Sequence, residues 1–374
     1  IIIYNHDLPK QKKKGQAINH KYMRKHIRPN ILCIDEIHNL KPKTYRTKSL
    51  TALRLVSKRT LGLTGTLSDG DLSYLPFICR FIYQDYFPYP SVQSFTKYFS
   101  LNQRLETSYN GNNEQGRYLR HLDINRLPEY YKLMTRFCHR VSLDDPVVKP
   151  YLTKPQVKQS EKLIEPSKEQ SEAHQYYLRQ NKQVIENLKN KDDQNDTVLR
   201  ILNPLIRVAN AYSLSTPKLL ATKDEILETD KTAIFCSTNS GARTISRFLE
   251  EEGFSVIRIY AYDDQEFLPK LSEEKRMKRI DQFLEDDKIS VCVLQINLAS
   301  ESIDLQNAGK VIFYDLPWSS IKVEQAIART VRPGNPRKEV EVSFIANEGL
   351  IDQHQLNLVK SKIKLSSLLF DYNL

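Results

Sequence analysis

Ala233-Ile234-Phe235-Cys236, Val256 to Tyr260, Val291-Cys292-Val293-Leu294, Val311-Ile312-Phe313-Tyr314 and Val340 to Ile345 are five short apolar runs separated by charged segments of helical period. Runs that are apolar throughout, rather than alternating, belong to strands covered on both faces, and helices between them are the crossovers of a parallel sheet. Residues 226–374 are therefore expected to form an α/β lobe. Residues 1–74 repeat the pattern in part, with Ile1 to Tyr4, Ile31 to Ile34 and Leu61 to Thr64 read as strands and Lys48 to Ser57 as a helix. Residues 75–225 carry polar helical patterns broken by Asn110-Gly111-Asn112-Asn113 and by the run from Asn190 to Asp196, the signature of helical insertions and a linker. The expected architecture is α/β, with two parallel-sheet lobes, the first incomplete, joined by that helical region. No internal repeat has a solenoid period.

The composition limits what such a chain does. Its 374 residues hold 56 Lys+Arg against 45 Asp+Glu, a net charge of +11. At roughly 100 to 200 residues per domain this length makes two or three domains. A 40% hydrophobic and 27% charged content excludes wholesale disorder. No apolar run approaches the roughly 18 residues of a membrane-spanning helix. Cys33, Cys79, Cys138, Cys236 and Cys292 are scattered without a Cys-x-x-Cys pair, which disfavours a zinc module or a disulfide framework and favours a reducing, intracellular setting, cytoplasmic or nuclear. Glycine is scarce, 11 in all. The lone Gly-Lys dipeptide, Gly309-Lys310, has no glycine five residues earlier and Val311 after it, so these residues contain no Walker A loop. Ile1-Ile2-Ile3-Tyr4 lacks an initiator Met and the features of a signal peptide, and residue 1 reads as falling inside a larger protein.

Two constellations carry chemistry. Ile31-Leu32-Cys33-Ile34 runs into Asp35-Glu36-Ile37-His38, which puts two carboxylates at the carboxyl end of a buried strand, the edge where open α/β sheets bind ligands. One carboxylate there can hold a nucleotide's Mg²⁺ through water while its neighbour orients or deprotonates an attacking water. A bare Asp-Glu pair is more often a solvated turn, and it is the second strand ending in Leu63-Thr64-Gly65-Thr66 that reverses this reading. In Val323-Glu324-Gln325-Ala326-Ile327-Ala328-Arg329-Thr330-Val331-Arg332, helical spacings of four, three and seven are expected to stack Gln325, Arg329 and Arg332 on one face, with Pro333-Gly334 as the stop.

Together these strings resemble motifs II, III and VI of superfamily two helicases and translocases. Asp35-Glu36-Ile37-His38-Asn39-Leu40-Lys41 with Leu63-Thr64-Gly65-Thr66 is similar to the Swi/Snf-type branch in particular. The C-terminal string matches Gln-x-x-x-Arg-x-x-Arg-x-Gly at Gln325, Arg329, Arg332 and Gly334. Leu298-Ala299-Ser300-Glu301-Ser302-Ile303-Asp304 holds the place of motif V, with Ser300, Glu301 and Ser302 where the family has glycines. Tyr314-Asp315-Leu316-Pro317-Trp318 keeps the family's Asp and Trp. Leu67 stands where the family has proline after Thr66, and Ser319-Ser320 where it has Asn-Pro.

The resemblance implies two RecA-like lobes and an ATP-dependent DNA translocase that hydrolyses ATP between them to move along duplex DNA. Asp35 and Glu36 would serve metal and water, with Asp35 the Mg²⁺ ligand. His38, Thr64, Gly65 and Thr66 would couple hydrolysis to movement. Gln325, Asp304 and Gly334 would meet the nucleotide, Arg329 and Arg332 would supply the arginine finger, and Lys41, Thr238, Ser300 and Trp318 would contact nucleic acid. Motif I would lie upstream of Ile1. A monomeric motor with no membrane association is expected, with or without partner subunits.

Lys10 to Lys14 with Lys21, Arg24, Lys25 and Arg28 form a basic block, either a solvated loop or a phosphate-contacting surface. Tyr74, Phe77, Phe81, Tyr86, Phe87, Phe95 and Tyr98 lie in an aromatic-rich stretch that suits a satellite core better than a base-stacking platform. Two other functions stay open on residues alone: a catalytically inert nucleic-acid-binding scaffold of the same fold, and a metal hydrolase built on Asp35, Glu36 and His38. The hydrolase is disfavoured because no second histidine cluster accompanies these residues.

Overall fold

The protein was analysed as a computed structural model that describes residues 25, 28–41, 44–65, 74–83, 86–99, 123–141, 145–184, 195–226, 230–260, 272–298 and 303–370. The expected strand Ile1 to Tyr4, most of the basic block, the loop Asn110 to Asn113, and Thr66 and Ser300 lie outside the described residues. The chain divides into two compact units, residues 1–140 with 364–374, and residues 141–363.

In the first unit β1 (Ile31–Ile34) is followed by a 3-10 turn (Ile37–Asn39), α1 (Tyr45–Arg54) and β2 (Arg59–Gly62). The strands pair in parallel, Ile31 opposite Arg59 and Ile34 opposite Gly62. The second strand thus starts and ends two residues before the expected Leu61 to Thr64, because backbone pairing begins in the polar Arg59-Thr60 and leaves Leu63 and Thr64 in the connection beyond. Helix α1 likewise begins before Lys48: the Thr44 hydroxyl accepts from the Thr47 N–H and caps its first turn. Ile34, Ile37, Leu40, Leu50 and Leu53 close over this pair together with Ile78 and Phe81 of α2 (Tyr74–Tyr83).

A second core lies between α2, α3 (Val92–Phe99) and α4 (Leu127–Met134). Phe95, Phe99 and Tyr130 are buried at its centre, with Phe95 and Phe99 ring centroids 4.7 Å apart and Phe99 edge-on to Tyr130 at 5.6 Å. Most of the aromatic-rich stretch is therefore packing, as expected, since rings locked in T-shaped contacts offer no face to a base. Tyr86, 85% exposed, and Tyr98, 38% exposed, are exceptions.

The second unit opens with β3 (Gln156–Ile164), α5 (Lys168–Gln180), α6 (Asn195–Asn210) and α7 (Pro217–Asp224). It continues through β4 (Lys231–Cys236), α8 (Asn239–Glu251), β5 (Val256–Ile259), α9 (Glu273–Glu285) and β6 (Val291–Gln295). It closes with β7 (Ala308–Phe313), α10 (Ser320–Thr330), β8 (Glu339–Asn347) and the part of α11 (Ile351–Phe370) that precedes residue 364. The strands form one six-stranded parallel sheet in the order β3-β8-β7-β4-β6-β5. All five apolar runs are strands of it.

Side chains alternate across each strand, so the sheet builds two cores. Phe235, Phe313 and Phe344 occupy paired register positions on β4, β7 and β8 and stack on one face, with centroids 5.5 and 5.0 Å apart. Ile280 and Phe283 of α9, Val323 and Ala326 of α10, and Leu356 and Val359 of α11 cover that face. Ile234, Ile312 and Ile345 face the other way, under Leu219 of α7 and Ala242, Ile245, Phe248 and Leu249 of α8. Burying each such ring or branched side chain contributes about 1.5–3 kcal/mol.

Strand β3 lies inside the stretch read as helical. Its sequence, Gln-Val-Lys-Gln-Ser-Glu-Lys-Leu-Ile, is largely exposed, and it forms only because β8 offers an open edge to pair with. A polar cluster pins it. Glu225 accepts from Lys310 at 2.6 Å and from the Ser343 hydroxyl at 2.6 Å, and it also pairs with Lys162 of β3. Burial alone would push the Glu225 carboxyl up, but hydrogen bonds from Lys162, Lys310 and Ser343 hold it down to about 2, from 4.5 in the unfolded chain. A carboxyl depressed on folding stabilises the protein above its unfolded value and loses that contribution as pH falls through its folded value. Acid titration of the unfolding free energy is thus expected to show a loss between pH 4.5 and about 2 that Glu225→Gln flattens. Identical slopes in the two proteins over that window would refute the assignment.

Candidate functional site

In the first unit the site is made by two strand exits. The ladder continues beyond β1 and β2 through Leu63 N–H to Ile34 O at 2.8 Å and Ile37 N–H to Leu63 O at 3.0 Å, so the Asp35-Glu36 turn and the Leu63-Thr64 segment run side by side. Glu36 takes a left-handed conformation (φ 48°, ψ 48°) and its N–H donates to Asp35 Oδ1 at 2.9 Å. A non-glycine residue there costs of the order of 1–3 kcal/mol, strain that here turns the chain between the two carboxylates. His38 Nδ1 lies 2.8 Å from Thr64 Oγ1 and 2.9 Å from Glu36 Oε2. Burial lowers the His38 pKa by more than Glu36 and Asp35 raise it, so the ring is neutral at neutral pH. Gly62 lies close under Ile37: a Cβ there would fall 2.5 Å from Ile37 Cδ1, so a larger residue would push that side chain aside.

The structure thus brings together Asp35, Glu36, His38 and Thr64 from residues far apart in sequence. Gly65, exposed, follows Thr64, and Lys41, also exposed, lends its carbonyl to the Thr44 and Thr47 hydroxyls at the start of α1.

A magnesium ion fits this turn. Asp35 is an exposed hard-oxygen donor, and Glu36 Oε2 is buried without a hydrogen-bond partner despite its closeness to His38. Mg²⁺ needs only one or two protein carboxylates, completing its shell with water and substrate phosphates. Among the described residues no cluster of three or more His, Cys, Asp or Glu side chains forms a metal cage, as a zinc hydrolase would require.

In the second unit α10 carries Gln325 and Arg329, both partly buried, but it ends at Thr330. Val331 leaves helical geometry (φ −87°, ψ 79°), and Arg332 sits in the following turn, not on the helix face with the other two. Two forces end the helix two residues early. Pro333 disfavours helical backbone at Arg332, and the Leu305 N–H takes the Arg329 carbonyl at 3.0 Å. Gly334, at φ +99°, completes the turn. Released from the helix, Arg332 Nη1 reaches Asp304 Oδ2 at 3.4 Å, so two residues expected to meet nucleotide meet each other.

Residues after β4 and β7 form a second polar focus at the carboxyl edge of the sheet. The Thr238 N–H donates to Asp315 Oδ2 at 2.8 Å, its hydroxyl bonds the same oxygen, and the hydroxyl also accepts from the Gly241 N–H at 3.0 Å to cap α8. Burial raises the Asp315 carboxyl, against the Thr238 bonds that lower it. The Thr238 hydroxyl is therefore committed within the fold. Trp318 is partly buried ahead of α10, and its carbonyl accepts from Lys362 at 2.7 Å. Sequence reading missed the Arg332–Asp304 pair, for which the signal was the proline at 333.

Residues 217–334, which run from α7 through the turn after α10, match the helicase conserved C-terminal domain. A Bacillus subtilis protein described as an uncharacterized ATP-dependent helicase, YqhH, is 28% identical over 174 residues, 46% of this chain and 28% of its own length. The Arabidopsis thaliana SNF2 domain-containing protein CLASSY 1 is 34% identical over 97 residues, 26% of this chain and 8% of its own. The match therefore spans less than a third of either relative. The Sulfolobus solfataricus SWI2/SNF2 ATPase core domain superposes with a TM-score of 0.45 at 20% identity, over 89% of this chain and 65% of that one. Over residues 217–334 the chain is thus similar to the C-terminal domain of helicases.

Proposed function

We propose that the protein to which these residues belong is an ATP-dependent translocase that moves along duplex DNA. Asp35 would hold Mg²⁺ through water, Glu36 would orient the attacking water, and Gln325, Arg329, Arg332 and Gly334 would serve the same nucleotide from the second unit. Mg²⁺, when bound, neutralises charge on the transferred phosphoryl group. Asp304 would hold Arg332 until phosphate replaces it. The observation that carries the reading is the His38–Thr64 hydrogen bond at 2.8 Å, which ties the carboxylate turn to the Thr-Gly-Thr segment and gives a change at the nucleotide a route into the rest of the unit. DNA as the track rests on the motif resemblance, with the net charge of +11 favouring a polyanion.

No Gly-rich Lys-Ser/Thr loop occurs among the 374 residues. The phosphate cradle is proposed to lie outside them, and residues 1–374 by themselves are expected to hydrolyse no ATP. The test is ATP turnover by the full-length protein with and without duplex DNA. Turnover that rises with DNA supports the motor, and Thr64→Val is expected to keep basal turnover while losing most of the DNA stimulation. No turnover under either condition, with DNA still bound, would favour the inert scaffold. DNA-stimulated turnover by residues 1–374 alone would overturn the claim that a further loop is needed.

A further inference from the structure

Cys79 and Cys138 are 59 positions apart in sequence yet meet in the core between α2 and α4. The Cys79 thiol is buried on α2, the Cys138 thiol is partly exposed just after α4, and the two are hydrogen-bonded side chain to side chain. The contact is braced on both sides. Tyr83, one turn beyond Cys79 on α2, donates its hydroxyl to the Phe137 carbonyl at 2.8 Å, and the Tyr83 and Phe137 rings lie 5.0 Å apart. Phe87 packs edge-on against Phe137 at 5.4 Å, and the Cys138 N–H donates to Met134 O at 2.8 Å. These contacts hold the Cys138 segment against the stretch of α2 that carries Cys79. Neither residue belongs to the nucleotide or DNA machinery, and Cys236 and Cys292 are each buried in the sheet cores without such a partner thiol among the described residues.

We propose that Cys79 and Cys138 form a redox modification site, a dithiol that hydroperoxides convert to a disulfide. Cys138, the accessible member, is the attacking sulfur, and Cys79 resolves. The hydrogen bond from Cys79 lowers the Cys138 pKa against the burial that raises it, while the same bond and burial push Cys79 up. The Cys138 thiolate attacks the distal oxygen of ROOH, the O–O bond breaks, and the alkoxide takes up the thiol's proton and leaves as ROH. Cys138 is then a sulfenic acid. The Cys79 sulfur attacks the Cys138 sulfur, the S–OH bond breaks, and hydroxide leaves with the Cys79 proton as water. Two thiols lose two electrons in all, and the hydroperoxide gains them.

The test is limiting tert-butyl hydroperoxide on the whole chain, followed by thiol blocking with N-ethylmaleimide and peptide mapping without reduction. The expected product is a peptide pair linked through Cys79 and Cys138 and released by dithiothreitol, with the Cys138 thiol lost about tenfold faster than that of Cys292. In Cys79→Ser, Cys138 is expected to accumulate as a sulfenic acid captured by dimedone, and in Cys138→Ser, Cys79 stays reduced. The wild-type chain carries the main readout, so a variant that fails to fold does not decide the outcome. Loss of Cys138 no faster than Cys292, a disulfide through Cys33 instead, or oxidation of Cys138 to a sulfinic acid without linkage to Cys79 would overturn the proposal.

Discussion

Arg332→Ala is expected to lower the DNA-stimulated ATP turnover of the full-length protein by about 10³-fold or more, the usual worth of an arginine finger. Its guanidinium is the only group of its turn that combines fixed charge with several donors, and the early end of α10 at Thr330 frees it from the helix axis so that it can reach outward. The pair with Asp304 at 3.4 Å is partly exposed and holds Arg332 weakly, so a phosphate can take the carboxylate's place. Lysine at 332 is expected to recover little, because a point charge cannot satisfy two oxygens of the transferring group at once. Asp304→Ala, in contrast, is expected to leave the maximal turnover nearly intact, since it removes the resting partner only. Steady-state turnover at saturating ATP and DNA checks all three. An Arg332→Ala protein within about threefold of wild type would remove Arg332 from the chemistry, a finger being worth 10³ at least.

Asp352→Ala is expected to cost about 3–5 kcal/mol of stability, because it strands a buried charge. Lys218 is fully buried, with its Nζ 2.8 Å from Asp352 Oδ2, 2.6 Å from Asn210 Oδ1 and 4.9 Å from the centre of the Tyr314 ring. Asp352 Oδ2 also accepts from the Asn347 backbone and side-chain nitrogens, each at 2.9 Å, and Tyr314 donates to the Asn210 carbonyl at 2.8 Å. One ion pair thereby joins α6, α7, β7, β8 and α11. The double replacement Lys218→Met with Asp352→Ala is expected to regain most of the loss, since removing both charges abolishes the desolvation penalty along with the attraction. Denaturant unfolding of the single and double variants checks this. A single variant within about 1 kcal/mol of wild type, the range of an exposed pair, would show that water reaches Lys218.

The centre of the second unit's sheet was legible in the sequence because β4, β6 and β7 are buried on both faces and so are nearly continuous apolar runs, while β5 and β8 keep enough apolar residues around Arg258, Glu341 and Ser343 to be read with them. The carboxylate turn was legible because Asp35-Glu36 ends an apolar strand, where open sheets present ligands, although that strand is not buried as expected: of its four residues only Ile34 is buried, and Ile31 and Cys33 are exposed. The edge strand β3 was not legible, since half-solvated polar residues carry no strand signal of their own and are made a strand by the edge they pair with. The position of Arg332 was misread because helical spacing was extended up to the proline, whereas the restriction acts on the residue before it.

By itself the sequence determined the parallel α/β class, the order of apolar strands and charged helices from residue 231 onward, the carboxylate and arginine motifs and the absence of a phosphate-cradling loop. All of these are local, encoded in residue type and spacing. Only the tertiary structure decided that His38 meets Thr64, that Arg332 meets Asp304, that Lys218 is buried on Asp352 and that Cys79 touches Cys138. Those pairs are 26, 28, 134 and 59 positions apart. Contacts across such distances follow from strand pairing and helix packing, which no one-dimensional pattern specifies.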